Sequence, residues 1–168
     1  MEKIVVIATN NAHKVEEIRT ALDFPGWRFV TLGKGEPYPE PAEDADDFTG
    51  NAFIKAQAAH MHTGLAALAD DSGLIVDALG GEPGVFSARY AGVHGDDAAN
   101  NAKLIAELTR VGREDSPAAY RCALALADTD GHLLTASGVC FGTVRLLARG
   151  TGGFGYDPYF YFSDDKTM

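Results

Sequence analysis

Two adjacent carboxylates, Asp70 and Asp71, stand with Ser72 and Gly73 where the apolar run Leu65-Ala66-Ala67-Leu68-Ala69 ends. Carboxylates at the mouth of a buried strand are costly to desolvate unless a cation shares their charge, and a hard divalent metal is the usual partner. Strand side chains alternate between faces. A strand running into the pair would therefore send one carboxylate toward a metal and its neighbour toward a lysine or a water. A solvated turn with an aspartate cap is the plainer alternative. A second group, Thr9-Asn10-Asn11-Ala12-His13-Lys14, joins a strand to a helix. The free N–H groups and positive dipole end of a helix start attract anions, so Thr9 and Asn11 can bond phosphate oxygens while Lys14 supplies charge. Alternatively, Asn10 or Asn11 simply caps the helix. Lys55 is the other well-placed cation, with a solvated surface lysine as its alternative. In Gly150-Thr151-Gly152-Gly153-Phe154-Gly155-Tyr156-Asp157-Pro158, the glycines let the backbone pass close to a flat ligand. Phe154 can stack on such a ligand and Asp157 can accept from its N–H groups; a glycine-rich hairpin with aromatic packing is the alternative.

Other motifs carry less. No Gly-Lys-Ser/Thr phosphate loop and no GxGxxG follows the first strand, which sets aside Walker-type ATPases and dinucleotide-binding dehydrogenases. His60 and His62 point to different sides of a helix and cannot share a metal there, so they read as solvated, as do His13, His94 and His132. Asp128-Thr129-Asp130-Gly131 lacks the twelve-residue calcium pattern and reads as a turn. Phe141 reads as a packing residue of a strand. Cys122 and Cys140 have no CxxC spacing and read as reduced, buried thiols.

The elements that must position these residues follow from periodicity. Ile4–Ala8 reads as a buried strand, and 11–22 as a helix with Val15, Ile18 and Leu22 on one face. Trp27–Leu32 is a second strand, followed by an acidic, proline-bearing loop over 37–47. Asn51–Thr63 reads as a helix and Leu65–Ala69 as the next strand. Gly80-Gly81-Glu82-Pro83-Gly84 breaks the chain before a short Ser87–Tyr90 segment. Asp96–Arg110 is a third helix, capped by Asp96 or Asp97, with Ala98, Ala102, Ile105, Ala106 and Leu108 as its apolar positions. Ala119–Ala127 and Leu133–Phe141 flank the Asp128–Gly131 turn as a hairpin. The fold class is α/β with a mixed sheet and flanking helices. At 168 residues and 46% hydrophobic content, one domain over 1–168 is expected. Fourteen Lys and Arg against 24 Asp and Glu give a net charge of −10, which disfavours nucleic acid and anionic membranes as partners. No membrane-spanning run or signal peptide is read, so a cytoplasmic protein is expected.

TNNAHK, NAFIKA, ADDSGL, LGGEPGVFSARYAG and GTGGFGYDP, in this order and across nearly the whole chain, resemble the inosine triphosphate pyrophosphatase (ITPase) family of bacterial XTP/dITP pyrophosphatases. The resemblance implies an elongated, two-lobed α/β fold with a central mixed sheet, a homodimer, dependence on magnesium (Mg2+), and hydrolysis of deaminated purine nucleoside triphosphates (ITP, dITP, XTP) to the monophosphate and pyrophosphate. It implies that Thr9, Asn10, Asn11, Ala12, His13 and Lys14 hold the triphosphate with Lys55. Asp71 would be the metal-bound general base, Asp70 its support, and Ser72 a substrate contact. Phe154, Gly155, Tyr156 and Asp157 would form the base pocket, with Lys166 also touching the nucleotide. The chain departs from the family pattern twice. Gly50 stands where a glutamate precedes Asn51-Ala52, which implies a missing metal carboxylate that Glu at position 50 would restore. Asp46 and Asp47, one turn upstream, either substitute for it or form a solvated acidic loop. The sequence also stops at Met168, before the family's Ser-His-Arg segment. Two alternatives remain open: a catalytically impaired nucleotide-binding member, and another magnesium-dependent phosphohydrolase.

Overall fold

The computed structural model describes residues 2–9, 11–32, 38, 41–150 and 152–162. Its regular elements are β1 (Lys3–Ile7), α1 (Ala12–Ala21), β2 (Trp27–Thr31), α2 (Phe48–Thr63), β3 (Ala66–Val76), α3 (Asp97–Arg110), β4 (Asp115–Ala127), β5 (Leu133–Arg145) and β6 (Phe160–Phe162). Short 3-10 turns cover Asp77–Leu79, Gly84–Arg89 and Asp157–Tyr159. The strands form one sheet in the order β2-β1-β3-β4-β5-β6. β1 lies parallel to β2, with Lys3 opposite Trp27, and parallel to β3, with Val5 opposite Ala66. β6 lies antiparallel to β5. The sheet is therefore mixed, as the alternation of elements predicts.

Contacts divide the chain into two compact units, residues 1–71 with 123–137, and residues 72–122 with 138–168. In the first, Asn11 caps α1, its side chain accepting from the N–H groups of His13 at 3.0 Å and Lys14 at 3.4 Å. Ile18 is buried, and with Val15 and Leu22 it packs on Val5, Ile7 and Leu68, the face that the helical spacing predicts. α2 starts a turn earlier than its apolar pattern suggests, because Asp47 caps it by accepting from Gly50 N–H at 2.7 Å. It stops at Gly64, whose φ of 66° is the left-handed conformation that ends helices. Its inward face is Ala52, Ala56 and Ala59, all fully buried against Val6, Ala67, Ala69, Ala123, Ala125 and Ala127. Beside these methyl groups, the other fully buried side chain of the helix is Asn51.

The second unit is built from larger residues: Leu74, Val76, Tyr90, Leu104, Leu108, Val144, Tyr156 and Phe160 form its core. Here α3 corrects the sequence reading. Its buried residues are Asn100, Leu104 and Leu108, spaced by four, whereas Ala98, Ala102 and Ala106 are exposed. Asn100 can go inside because its amide accepts from Ala91 N–H at 2.7 Å and donates to the Ala88 carbonyl at 3.2 Å, so no polar atom is left wanting. Phe141 is a second correction: it is 63% exposed on β5 and not part of the core. β4 and β5 run longer than predicted, and their turn is the predicted one, with Asp128 accepting from Asp130 and His132 N–H groups at 2.8 and 2.9 Å.

Candidate active site

β3 does not end at Asp70. It continues through Asp70, Asp71, Ser72 and Gly73 to Val76, so the carboxylates sit in mid-strand and are 6% and 8% exposed. The strand's alternation then sends them to opposite faces. Asp70 faces Lys14 of α1, whose Nζ is 3.6 Å from its Oδ2. Asp71 faces α2, where Lys55 Nζ lies 3.0 Å from Oδ1 and Asn51 Nδ2 donates to Oδ2 at 3.2 Å. Asn51 and Lys55 are one helical turn apart, so both reach the same strand residue. Lys55 is thus a half-buried ion-pair partner, not a solvated surface lysine.

Glu43 also converges here, Oε1 lying 3.1 Å from Lys55 Nζ. Its segment is tied to the site through fully buried Asn51, whose Oδ1 accepts from Ala45 N–H at 3.0 Å. Neither Glu43 nor Asn51 stands out in the sequence. Glu43 lies in an acidic loop without periodicity, and Asn51 is signalled only by its spacing of four from Lys55 and its place at the head of NAFIKA.

Burial, the largest influence on Asp71, raises its carboxyl above the usual value; the attraction and hydrogen bond of Lys55 oppose this, and Glu43 adds to the rise. Burial alone would lower the Lys55 ammonium, but Asp71 and Glu43 together overcome it and hold it above its usual value. Among the described residues, Lys55 meets both Glu43 and Asp71, and Lys14 meets both Glu17 and Asp70. The carboxylate donors are all hard oxygens, a set that fits a hard divalent cation.

Gly50 takes on a different meaning in this setting. It lies inside the first turn of α2, and a Cβ there would stand 2.6 Å from Ala45 Cβ and 3.3 Å from Asp47 Oδ1. A side chain at 50 would press on the segment that carries Glu43, and Asp47 is already occupied as the cap. Glu43 places a carboxylate near Asp71, the two sharing the Lys55 ammonium.

Of the remaining predicted residues, Thr9 Oγ1 accepts from Asn11 N–H at 3.2 Å, and Ala12 and His13 form the first turn of α1 behind the Asn11 cap. Ser72 follows Asp71 on β3, half-buried. Asn10, Thr151 and Lys166 lie outside the described residues. In the second unit, Asp157 accepts from Phe154 N–H at 3.0 Å through Oδ2 and from Tyr120 hydroxyl at 3.1 Å through Oδ1, while Tyr156 hydroxyl donates to Ser87 carbonyl at 2.7 Å. Gly153, at φ +83°, leaves room for the Asp157 carboxylate that a Cβ would occupy. His60 is not purely solvated, since its Nδ1 lies 2.8 Å from the Leu65 carbonyl oxygen. Asp128, Asp130 and His132 gather ligand atoms within 4.8 Å at the exposed β4–β5 turn, a grouping that a metal ion could occupy. Cys122 and Cys140 are half-buried and form no disulfide. No helix among the described residues is long and apolar enough to cross a membrane.

A mixed sheet that sets buried mid-strand carboxylates against lysines from two helices has the donor set of a phosphate-handling α/β hydrolase. The chain belongs to the Ham1 family, whose sequence model matches residues 5–168. It is 49% identical over 160 residues to the dITP/XTP pyrophosphatase of Geobacter sulfurreducens, covering 95% of this chain and 80% of that protein. Its fold superposes with a TM-score of 0.80 on the nucleoside-triphosphatase, dITP/XTP pyrophosphatase, of Mycobacterium abscessus, at 41% identity over 96% of this chain and 84% of that one. A Ham1 protein from Coxiella burnetii gives 0.85 at 38% identity, with 95% and 82% covered.

Proposed function

We propose that this protein is a house-cleaning nucleoside triphosphate pyrophosphatase that hydrolyses ITP, dITP and XTP to the monophosphate and pyrophosphate. The observation that carries this reading is the buried carboxylate of Asp71 in mid-strand, 3.0 Å from Lys55 Nζ, which Glu43 also meets at 3.1 Å. The relatives' names support the substrate class.

Lys14, Lys55 and the N–H groups at the start of α1 bind and orient the phosphates, with Thr9 and Asn11 shaping that turn. Asp71 and Glu43 are the residues that would hold Mg2+, with Asp70 keeping Lys14 in place. An ion bound there would supply charge to screen the phosphates and would make water a stronger acid. Asp71 takes a proton from the attacking water; its oxygen bonds to the α-phosphorus as the bond from that phosphorus to the bridging oxygen breaks, and pyrophosphate leaves with the electron pair. Asp71 is placed for this role by its buried position on β3, where Lys55 and Asn51 fix both carboxylate oxygens. Ser72, Phe154, Gly155, Tyr156, Asp157 and Lys166 contact the nucleotide, the segment from Phe154 to Asp157 receiving the purine. Residues 1–168 act as one domain, in a cytoplasmic homodimer. Pyrophosphate release from ITP, dITP, XTP, ATP and GTP with magnesium tests the reading: the deaminated nucleotides should lead, and release of orthophosphate alone would overturn it.

A further inference from the structure

The segment around Phe154 is held from a distance by helix α3. Asp97, the first residue of that helix, accepts through Oδ2 from Gly155 N–H at 2.8 Å. Asn101, one turn on, donates from Nδ2 both to the Gly155 carbonyl and to the Asp97 carbonyl, each at 2.8 Å. The three residues close a ring that fixes the peptide groups on both sides of Gly155, itself in the left-handed conformation at φ +58°. Asp157 holds the preceding peptide through Phe154 N–H. Three consecutive peptides, from Gly153 to Tyr156, are thereby pinned, and the direction in which Phe154 leaves the backbone is set.

Asn101 is a costly way to stabilise a helix. Its Oδ1 is buried without a hydrogen-bond partner, a burden that an apolar residue of similar size would not carry. Its amide cannot turn over to relieve this, because the donors are needed by two carbonyls. The arrangement favours a fixed loop geometry over stability.

We propose that Asp97 and Asn101 are positioning residues for purine discrimination: by fixing the Gly155 peptide groups they preset the 154–157 segment for a purine with a carbonyl at position 6 and against one with an amino group. This rests on the reading of that segment as the purine site. Neither residue belongs to the carboxylate and lysine cluster of the first unit, so their loss should appear in recognition and not in the chemical step.

The test measures kcat and KM for ITP and ATP, with thermal stability alongside, in Asp97→Ala, Asp97→Asn and Asn101→Leu. Loss of one charge-assisted hydrogen bond predicts that Asp97→Ala raises KM for ITP about fivefold to tenfold, with kcat within about twofold, and narrows the ITP-to-ATP preference by a similar factor. Asn keeps the acceptor, so Asp97→Asn should recover most of the loss, separating loop positioning from the charge at the helix start. Asn101→Leu should narrow the preference while melting no lower than wild type. An unchanged ITP-to-ATP ratio in Asp97→Ala and Asn101→Leu overturns the inference alone, as does an equal fall on both substrates. A wild-type protein that neither binds nor hydrolyses ITP overturns the functional reading and this inference with it.

Discussion

Asp71 is held in a state that is poor for stability and good for chemistry. A carboxyl raised by folding contributes stability below its ordinary value of 3.8, and that contribution is lost as pH rises through the raised folded value. At neutral pH the ionised group is therefore a liability to the fold. In metal-free protein, a carboxyl carbon titration by NMR should place Asp71 above 3.8, and Glu43→Gln should lower it, because one like charge is gone and Lys55 is left to Asp71 alone. A lack of response to Glu43→Gln would mean that the two carboxylates do not share the lysine in solution. Asp71→Asn keeps the volume and loses both charge and proton affinity. It should cost roughly a hundredfold or more in pyrophosphate release while circular dichroism shows an intact fold.

At the scale of elements, the first turn of α2 joins cap, site and loop. A carboxylate at position 50 looks beneficial from the sequence, since Glu is a better helix residue than Gly. The geometry reverses that expectation: a Cβ at 50 meets Ala45 at 2.6 Å and displaces the segment carrying Glu43. Overpacking of this kind costs about 1–3 kcal/mol, against about 0.5–1 kcal/mol from propensity, so Gly50→Glu should destabilise the protein and lower its activity. Gly50→Ala makes the same collision without the charge and should show much of the same loss; a faster Gly50→Glu enzyme would restore the sequence-based view. The contrast shows what was legible. Periodicity located α1, α2, β1 and the β4–β5 hairpin, because each has a one-sided apolar pattern. It could not see β3 continuing past Ala69, since Asp70 and Asp71 resemble the end of a strand until their lysine partners are known. It missed Glu43 because the loop's position depends on the Asn51 side chain, a contact between residues six apart that leaves no pattern. It misplaced the face of α3 because a buried Asn100 is legible only once its backbone partners are in view.

At the scale of the whole molecule the two units differ in what they bury. The second holds Tyr90, Tyr120 and Tyr156, whose phenols are raised well above their ordinary value of 10.0, chiefly by burial. A phenol held above its unfolded value binds its proton more tightly when folded, so its contribution is full below pH 10 and drains away as pH climbs through the raised values. Alkaline unfolding, followed by circular dichroism and by the phenolate absorbance that Tyr90→Phe, Tyr120→Phe or Tyr156→Phe removes, should begin above pH 10 and take the two signals in one step. Phenolate from these three rings at pH 10 with the fold intact would show them to be open to water. Where α2 meets the sheet the first unit buries mainly methyl groups beside Asn51, with Ala52, Ala56 and Ala59 fully enclosed. An alanine wall of this kind narrows the alphabet available to mutation in one direction only. Every larger residue needs volume that the close-packed interface lacks, and every smaller one removes a methyl group. A library of all twenty amino acids at Ala56, sorted for soluble expression, should return alanine with a minority of glycine and serine, whereas Leu104 should accept methionine and isoleucine as well. Substitution on the outer face of α2 should therefore cost little, while its inner face tolerates almost none, a constraint imposed by the enclosed alanines and by the reach Lys55 needs to meet Asp71.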